Sequence, residues 1–111
     1  MHFSEYQLEA VKTAVYPGQG TKAGLEYCLF GWVGEVGEFF NKYKKVIRDS
    51  NGELTTEIIE SLLDEFGDAG WYSAMICTEL KASLDKVYER NLTKLFSRKA
   101  KGTLRGSGDF R

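Results

Sequence analysis

The chain has 111 residues, 42% of them apolar, 28% charged and 14% aromatic, which is enough for a single domain over residues 1 to 111 and too little for two. Fifteen Lys and Arg against sixteen Asp and Glu leave a formal net charge of -1. That balance excludes the overall basic excess of a nucleic-acid or anionic-membrane binder, so any charge-based function must be local.

Ser4 followed by Gln7 forms a capping-box signature, and Tyr6, Leu8, Val11, Ala14 and Val15 recur at roughly helical spacing. They predict a first helix over 4 to 15, stopped by Pro17. Leu25, Leu29, Trp32, Val36, Phe40, Tyr43 and Ile47 form the stripe of an amphipathic second helix over 21 to 48, with Lys44, Lys45 and Arg48 suiting its C-terminal dipole. Asp49-Ser50-Asn51-Gly52 is turn material. A third helix follows over 56 to 80, with Ile58, Ile59, Leu62, Leu63, Phe66, Ala69, Tyr72 and Ile76 as its apolar side. Ser83 is a candidate N-cap for a fourth, carrying Leu84, Val87, Tyr88, Leu92, Leu95 and Phe96 and closed by Gly102. Residues 102–111 are too glycine-rich to hold structure alone. The expected fold is therefore an all-α bundle of about four helices. A chain so short and so aromatic leaves apolar surface for self-association to cover, so a homo-oligomer is expected.

Cys28 and Cys77 stand alone among apolar neighbours and read as reduced core residues. No apolar run approaches the roughly 18 residues of a membrane span, and Met1-His2-Phe3-Ser4-Glu5 lacks the blocks of a signal peptide. The expectation is a cytoplasmic protein with no membrane partner.

Glu35 and Glu38 are three apart on the second helix, and Glu65 and Asp68 are three apart on the third, so each pair shares a helical face. Glu65 lies in line with Ile58, Leu62, Ala69 and Ile76, which aims it at the bundle interior or its edge. Acids gathered there need a counter-charge, and a divalent cation is the simplest one. With oxygen donors only, no paired thiols and a single histidine, His2, at the start of the chain, Mg²⁺ or Mn²⁺ suits better than zinc or iron. Mg²⁺ binds through a few carboxylates plus phosphate oxygens, which points to a nucleoside triphosphate. The alternative is that these acids only solvate a helix face.

Gly31, Gly34 and Gly37 beside that face signal either close approach of a helix or ligand, or loose packing. Lys42 and Lys45 continue the acidic face and either meet phosphates or, as in Glu38 with Lys42, form a surface pair. Asn91, Lys94 and Arg98, with Lys101 one step further round, either contact phosphate or are solvated charges near a helix C-terminus. Phe3, Tyr6, Trp32 and Tyr72 either stack on a base or belong to the core or an interface. No GxxxxGK[ST] loop, GxGxxG turn, GxSxG elbow or Ser-His-Asp set is present.

Glu35-Val36-Gly37-Glu38, 26 intervening residues, then Glu65-Phe66-Gly67-Asp68 resembles the ExxE and ExxD motifs of the small MazG-like nucleoside triphosphate pyrophosphohydrolases, in the all-α NTP pyrophosphatase superfamily. "GLEYCLFGWVGEVGEFFNKYKK" and "DEFGDAGWY" resemble that family's metal helices, "NLTKLFSRKAKG" its third motif and "GSGDFR" the ending of short phage-type members. The resemblance implies a helix pair holding Mg²⁺ or Mn²⁺, more than one ion per site, on Glu35, Glu38, Glu65 and Asp68, with Glu38 suspected of polarising the attacking water. It implies cleavage at the α,β-phosphate bond to a monophosphate and pyrophosphate, in homodimers or homotetramers whose protomers share the site. Asn91, Lys94 and Arg98 match polar positions near phosphates. Lys42 and Trp32 complete the candidate substrate contacts, and residues 102–111 are a flexible or site-closing tail. A purine deoxynucleotide such as dGTP or dATP is the favoured substrate on this resemblance alone. The competing expectations are a helical protein-interaction module built on Trp32, Phe39, Phe40 and Trp71, and a nucleotide sensor that binds without cleaving.

Overall fold

The computed structural model describes residues 1–108; residues 109–111, the end of the expected tail, lie outside the described residues. Four α-helices run in chain order, α1 Phe3–Val11, α2 Lys22–Ser50, α3 Thr56–Glu79 and α4 Leu84–Lys101, with no strand among the described residues.

The long elements begin and end close to where the punctuation places them. Asn51 and Gly52 take left-handed backbone angles, φ 55° and 78°, and turn the chain after α2. The Thr55 side chain then accepts from the Ile58 amide at 3.2 Å and caps α3. Only five residues separate the two helices, so they fold back on each other as an αα-hairpin, the main packing unit of the chain.

The first helix departs from expectation, ending at Val11 and not Val15. The Thr13 hydroxyl donates to the Ala10 carbonyl at 2.7 Å, and the amides of Lys12, Thr13 and Ala14 bond three residues back, which tightens and ends the helix before Pro17 can act. The capping box does not form either. His2 is the N-cap, without a side-chain bond. Gln7 instead reaches the α3–α4 turn: its Nε2 donates to the Ala82 carbonyl at 2.9 Å and to Thr78 Oγ1 at 3.1 Å, and its Oε1 accepts from the Leu84 amide at 2.8 Å. Ser83 occupies the N-cap position of α4 without making a cap bond, so Gln7 caps that helix from a distance.

The core gathers at the open end of the hairpin, where α1 crosses α3. Ala10, Tyr16, Cys28, Ala74, Met75, Cys77 and Leu84 form it, with Cys28, Ala74 and Met75 fully buried. Both cysteines are free and buried, as expected, and burial pushes their thiols up. Tyr16 Oη donates to Glu79 Oε1 at 2.6 Å, and the Gly20 amide donates to the same carboxylate at 3.0 and 3.1 Å, which pins the α1–α2 connection to the end of α3.

The stripe on α2 exists but is not the buried side. Leu29, Trp32, Phe40, Tyr43 and Ile47 are exposed, while Gly24, Cys28 and Val46 are buried and Gly31, Glu35 and Lys42 half-buried between them. On α3, Leu62 is buried and Ser61, Glu65, Ala69 and Tyr72 half-buried, with Ile59, Leu63 and Phe66 exposed. The seam between the long helices thus mixes a few apolar residues, Val46, Leu62 and Tyr72, with small and charged ones, and most of their bulky apolar side chains look outward. The fourth helix packs against α1 and does not cover those faces. The result is an open shape, with a radius of gyration of 17.1 Å where a compact chain of this length has about 13 Å. No helix among the described residues is long and apolar enough to cross a membrane.

Candidate metal centre

The middle of the α2–α3 seam is acidic. One carboxylate oxygen each from Glu35, Glu65 and Asp68 lies within 4.8 Å of the others. Antiparallel packing of the helices brings the two i,i+3 motifs together across 26 intervening residues. Burial, the neighbouring Asp68 charge and a hydrogen bond shared with Glu65 push the Glu35 carboxyl up. Glu65 behaves oppositely. The Lys42 ammonium beside it, Nζ to Oε1 2.8 Å, holds its carboxyl below the usual range, and the same pair raises the Lys42 ammonium. Lys42 also donates to Ser61 Oγ at 3.0 Å.

Glu38, one turn beyond Glu35, is exposed and stands outside the group of three converging oxygens. Its charge still acts on Glu35 and on Lys42. The expected Glu38–Lys42 surface pair is replaced by the cross-helix pair of Lys42 with Glu65. Ser61 was not singled out by the sequence, although its place one turn before Glu65 on α3 carries that signal.

Aromatic rings border the acids on the core side. The Tyr72 ring lies against the backbone of Gly31, where a Cβ would overlap the ring carbons, so this glycine does serve a close helix approach. Gly34 and Gly37 face open space. Burial raises the Tyr72 hydroxyl first, with Tyr27 and Glu35 adding to it, and burial and Asp68 raise that of Tyr6. Trp71 Nε1 donates to Thr13 Oγ1 at 2.9 Å, and its ring meets Tyr72 edge-on at 5.0 Å. Phe3 packs on Tyr88 at 4.8 Å, and Trp32 is exposed on α2.

The phosphate candidates other than Lys42 sit elsewhere in the chain, on α4. Asn91 and Lys94 share a hollow with Lys86, Glu89, Arg90 and Ser97. Arg98 is buried, and its Nη2 donates to the Gly108 carbonyl at 3.3 Å, so it holds the start of the tail. The main packing partner of α4 is α1, whereas the acids stand between α2 and α3.

Three oxygen donors with no His or Cys among them are a donor set that fits Mg²⁺ or Mn²⁺. Fold and site together define an all-α protein with an acidic centre in a helix hairpin. No family model matches the chain, and no solved structure matches it. The chain is 46% identical over 114 residues to the Gene 37 protein of Mycobacterium phage L5, with all of both chains covered. It belongs to the family of that phage protein.

Proposed function

We propose that this protein is a MazG-like pyrophosphohydrolase, which hydrolyses a nucleoside triphosphate to the monophosphate and pyrophosphate with Mg²⁺ or Mn²⁺. The observation that carries this reading is the convergence within 4.8 Å of the half-buried Glu35 and Glu65 and the exposed Asp68 at the edge of the seam. In this reading those three acids hold the ions, more than one per site, and Glu38 adds a fourth carboxylate from the next turn of α2. The bound ions supply Lewis acidity toward phosphate oxygens and a water of lowered pKa. Glu38, exposed and outside the tight trio, is assigned to orient that water. Asn91, Lys94 and Lys42 serve the phosphates and Trp32 the base, while Arg98, buried and bonded to the Gly108 carbonyl, reaches a phosphate only if the tail moves; a purine deoxynucleotide such as dGTP or dATP is the favoured substrate and the cytoplasm the place of action.

The reading includes a homodimer or homotetramer. The exposed faces of α2 and α3, with Phe30, Phe40 and Phe66 at 76%, 64% and 66% exposure, support it. So does the placement of the α4 polar set away from the acids of its own protomer, because a second copy is then the means of bringing both to one site.

Pyrophosphate release from each common NTP and dNTP, with Mg²⁺, Mn²⁺ or EDTA, tests the proposal. Metal-dependent release that falls at least about a hundredfold in Glu65→Gln and Glu38→Ala is expected. No release from any nucleotide overturns it. The same exposed apolar faces favour a second reading, a helical interaction module, for which neither Mg²⁺ nor Mn²⁺ raises the melting temperature. A metal-dependent shift without turnover points to a non-hydrolysing sensor.

A further inference from the structure

We propose that Lys42 is the resident counter-ion of the acidic seam and competes with a divalent cation for Glu65. The inference rests on the metal centre proposed above and deepens it by assigning an order to ligand entry.

The geometry is a bridge. Lys42 projects from α2, and both its acceptors, Glu65 Oε1 at 2.8 Å and Ser61 Oγ at 3.0 Å, belong to α3. Glu65 is the member of the pair with less solvent, its side chain 15% exposed against 36% for Lys42. An ammonium on Oε1 blocks that oxygen's approach to a cation, and a divalent ion placed beside the ammonium is repelled by it. The two cations therefore exclude each other at Glu65. The means of exchange is the lysine stem, whose four flexible carbons let the head move into solvent while the stem stays on the seam.

Two consequences follow for the site. Before loading, Lys42 neutralises part of the charge of the trio through its pair with Glu65. After loading, the displaced ammonium is a cation beside the centre, released from Glu65 and near only the more distant charges of Glu38 and Asp64, and it is then available to the phosphate of an incoming anion. Cation entry would precede anion contact with Lys42.

The test is titration with Mn²⁺ alone, followed by calorimetry and by the electron paramagnetic resonance of free Mn²⁺, on the wild type, Lys42→Met and Lys45→Met. Lys45 is exposed, forms no ion pair among the described residues and controls for loss of one positive charge. Lys42→Met is expected to bind Mn²⁺ roughly two- to fivefold more tightly, the range of an exposed ion pair, with Lys45→Met unchanged. Equal or weaker binding by Lys42→Met, or equal tightening in both variants, overturns the competition while leaving the metal centre standing. Absence of Mn²⁺ uptake by the wild type overturns the metal centre itself. Should Lys42→Met fail to fold, the wild type gives the answer. On saturation with Mg²⁺, the Lys42 Cε resonance is expected to move toward that of a solvated lysine, and an unmoved resonance overturns the exchange.

Discussion

The two halves of the α2–α3 hairpin are built on opposite terms. At the open end, Cys28, Ala74 and Met75 exclude water completely, and Tyr16 and Glu79 satisfy each other's polar atoms. In the middle, the same two helices face each other through Glu35, Lys42, Ser61, Glu65 and Asp68. Apolar burial stabilises the first region, whereas in the second gathered carboxylates work against stability and one lysine only partly offsets them. The difference teaches that the hairpin is clamped at one end and carries an unfavourable gathering of charge in its centre, the kind of departure from good packing that marks a candidate site.

The largest effect should come from the clamped end. Met75→Ala removes a fully buried side chain and should lower stability by about 2–5 kcal/mol in urea denaturation. A loss below about 1 kcal/mol would erase the contrast. Gln7→Ala comes next, because three bonds at the α3–α4 turn depend on one side chain. About 1–3 kcal/mol is expected there, with Ser83→Ala within about 0.5 kcal/mol because its side chain caps nothing. If Ser83→Ala were the costlier change, the assignment of the cap to Gln7 would be wrong.

The smallest effect belongs to the acidic middle and has the opposite sign. Glu35 has its carboxyl raised in the folded protein, so its contribution is fully present below its unfolded value near 4.5 and is lost as the pH rises through the higher folded value. Glu35→Gln should therefore melt above the wild type at neutral pH without metal, and the advantage should vanish in acid below 4.5. Glu65, lowered by Lys42, runs the other way: its contribution is present above its unfolded value of 4.5 and lost as the pH falls through the folded one. Melting curves of Glu65→Gln across the same acid range should converge on the wild type from below.

Much of this was legible in the sequence, in an uneven way. Turn residues such as Asn51 and Gly52 and the apolar periods placed α2, α3 and α4 to within about two residues. The i,i+3 spacing nominated Glu35, Glu65 and Asp68, three of the four acids, as neighbours. Periodicity names residues that share a face but not which face is covered, so the Leu29, Trp32, Phe40 and Ile47 stripe gave no sign that it would look outward. Local spacing also suggested Glu38 for Lys42 and Ser4 for Gln7. Both side chains found their partners beyond their own helix, 19 and 23 residues away for Lys42 and 71 to 77 for Gln7. Such pairings are set by how the helices pack, and a single sequence does not contain that information in local form.

The reach of Gln7 bears on the order in which the chain takes shape. Helix α1 has nine residues, too few to persist alone in water, and the groups that Gln7 binds are Thr78, Ala82 and Leu84. During synthesis the first helix therefore leaves the ribosome long before its own contacts exist, while the α2–α3 hairpin closes over a five-residue connection and can form early. The bonds of Gln7 therefore become available only once the α3–α4 turn is made, which ties the fixing of the first helix to a segment more than 70 residues further along the chain.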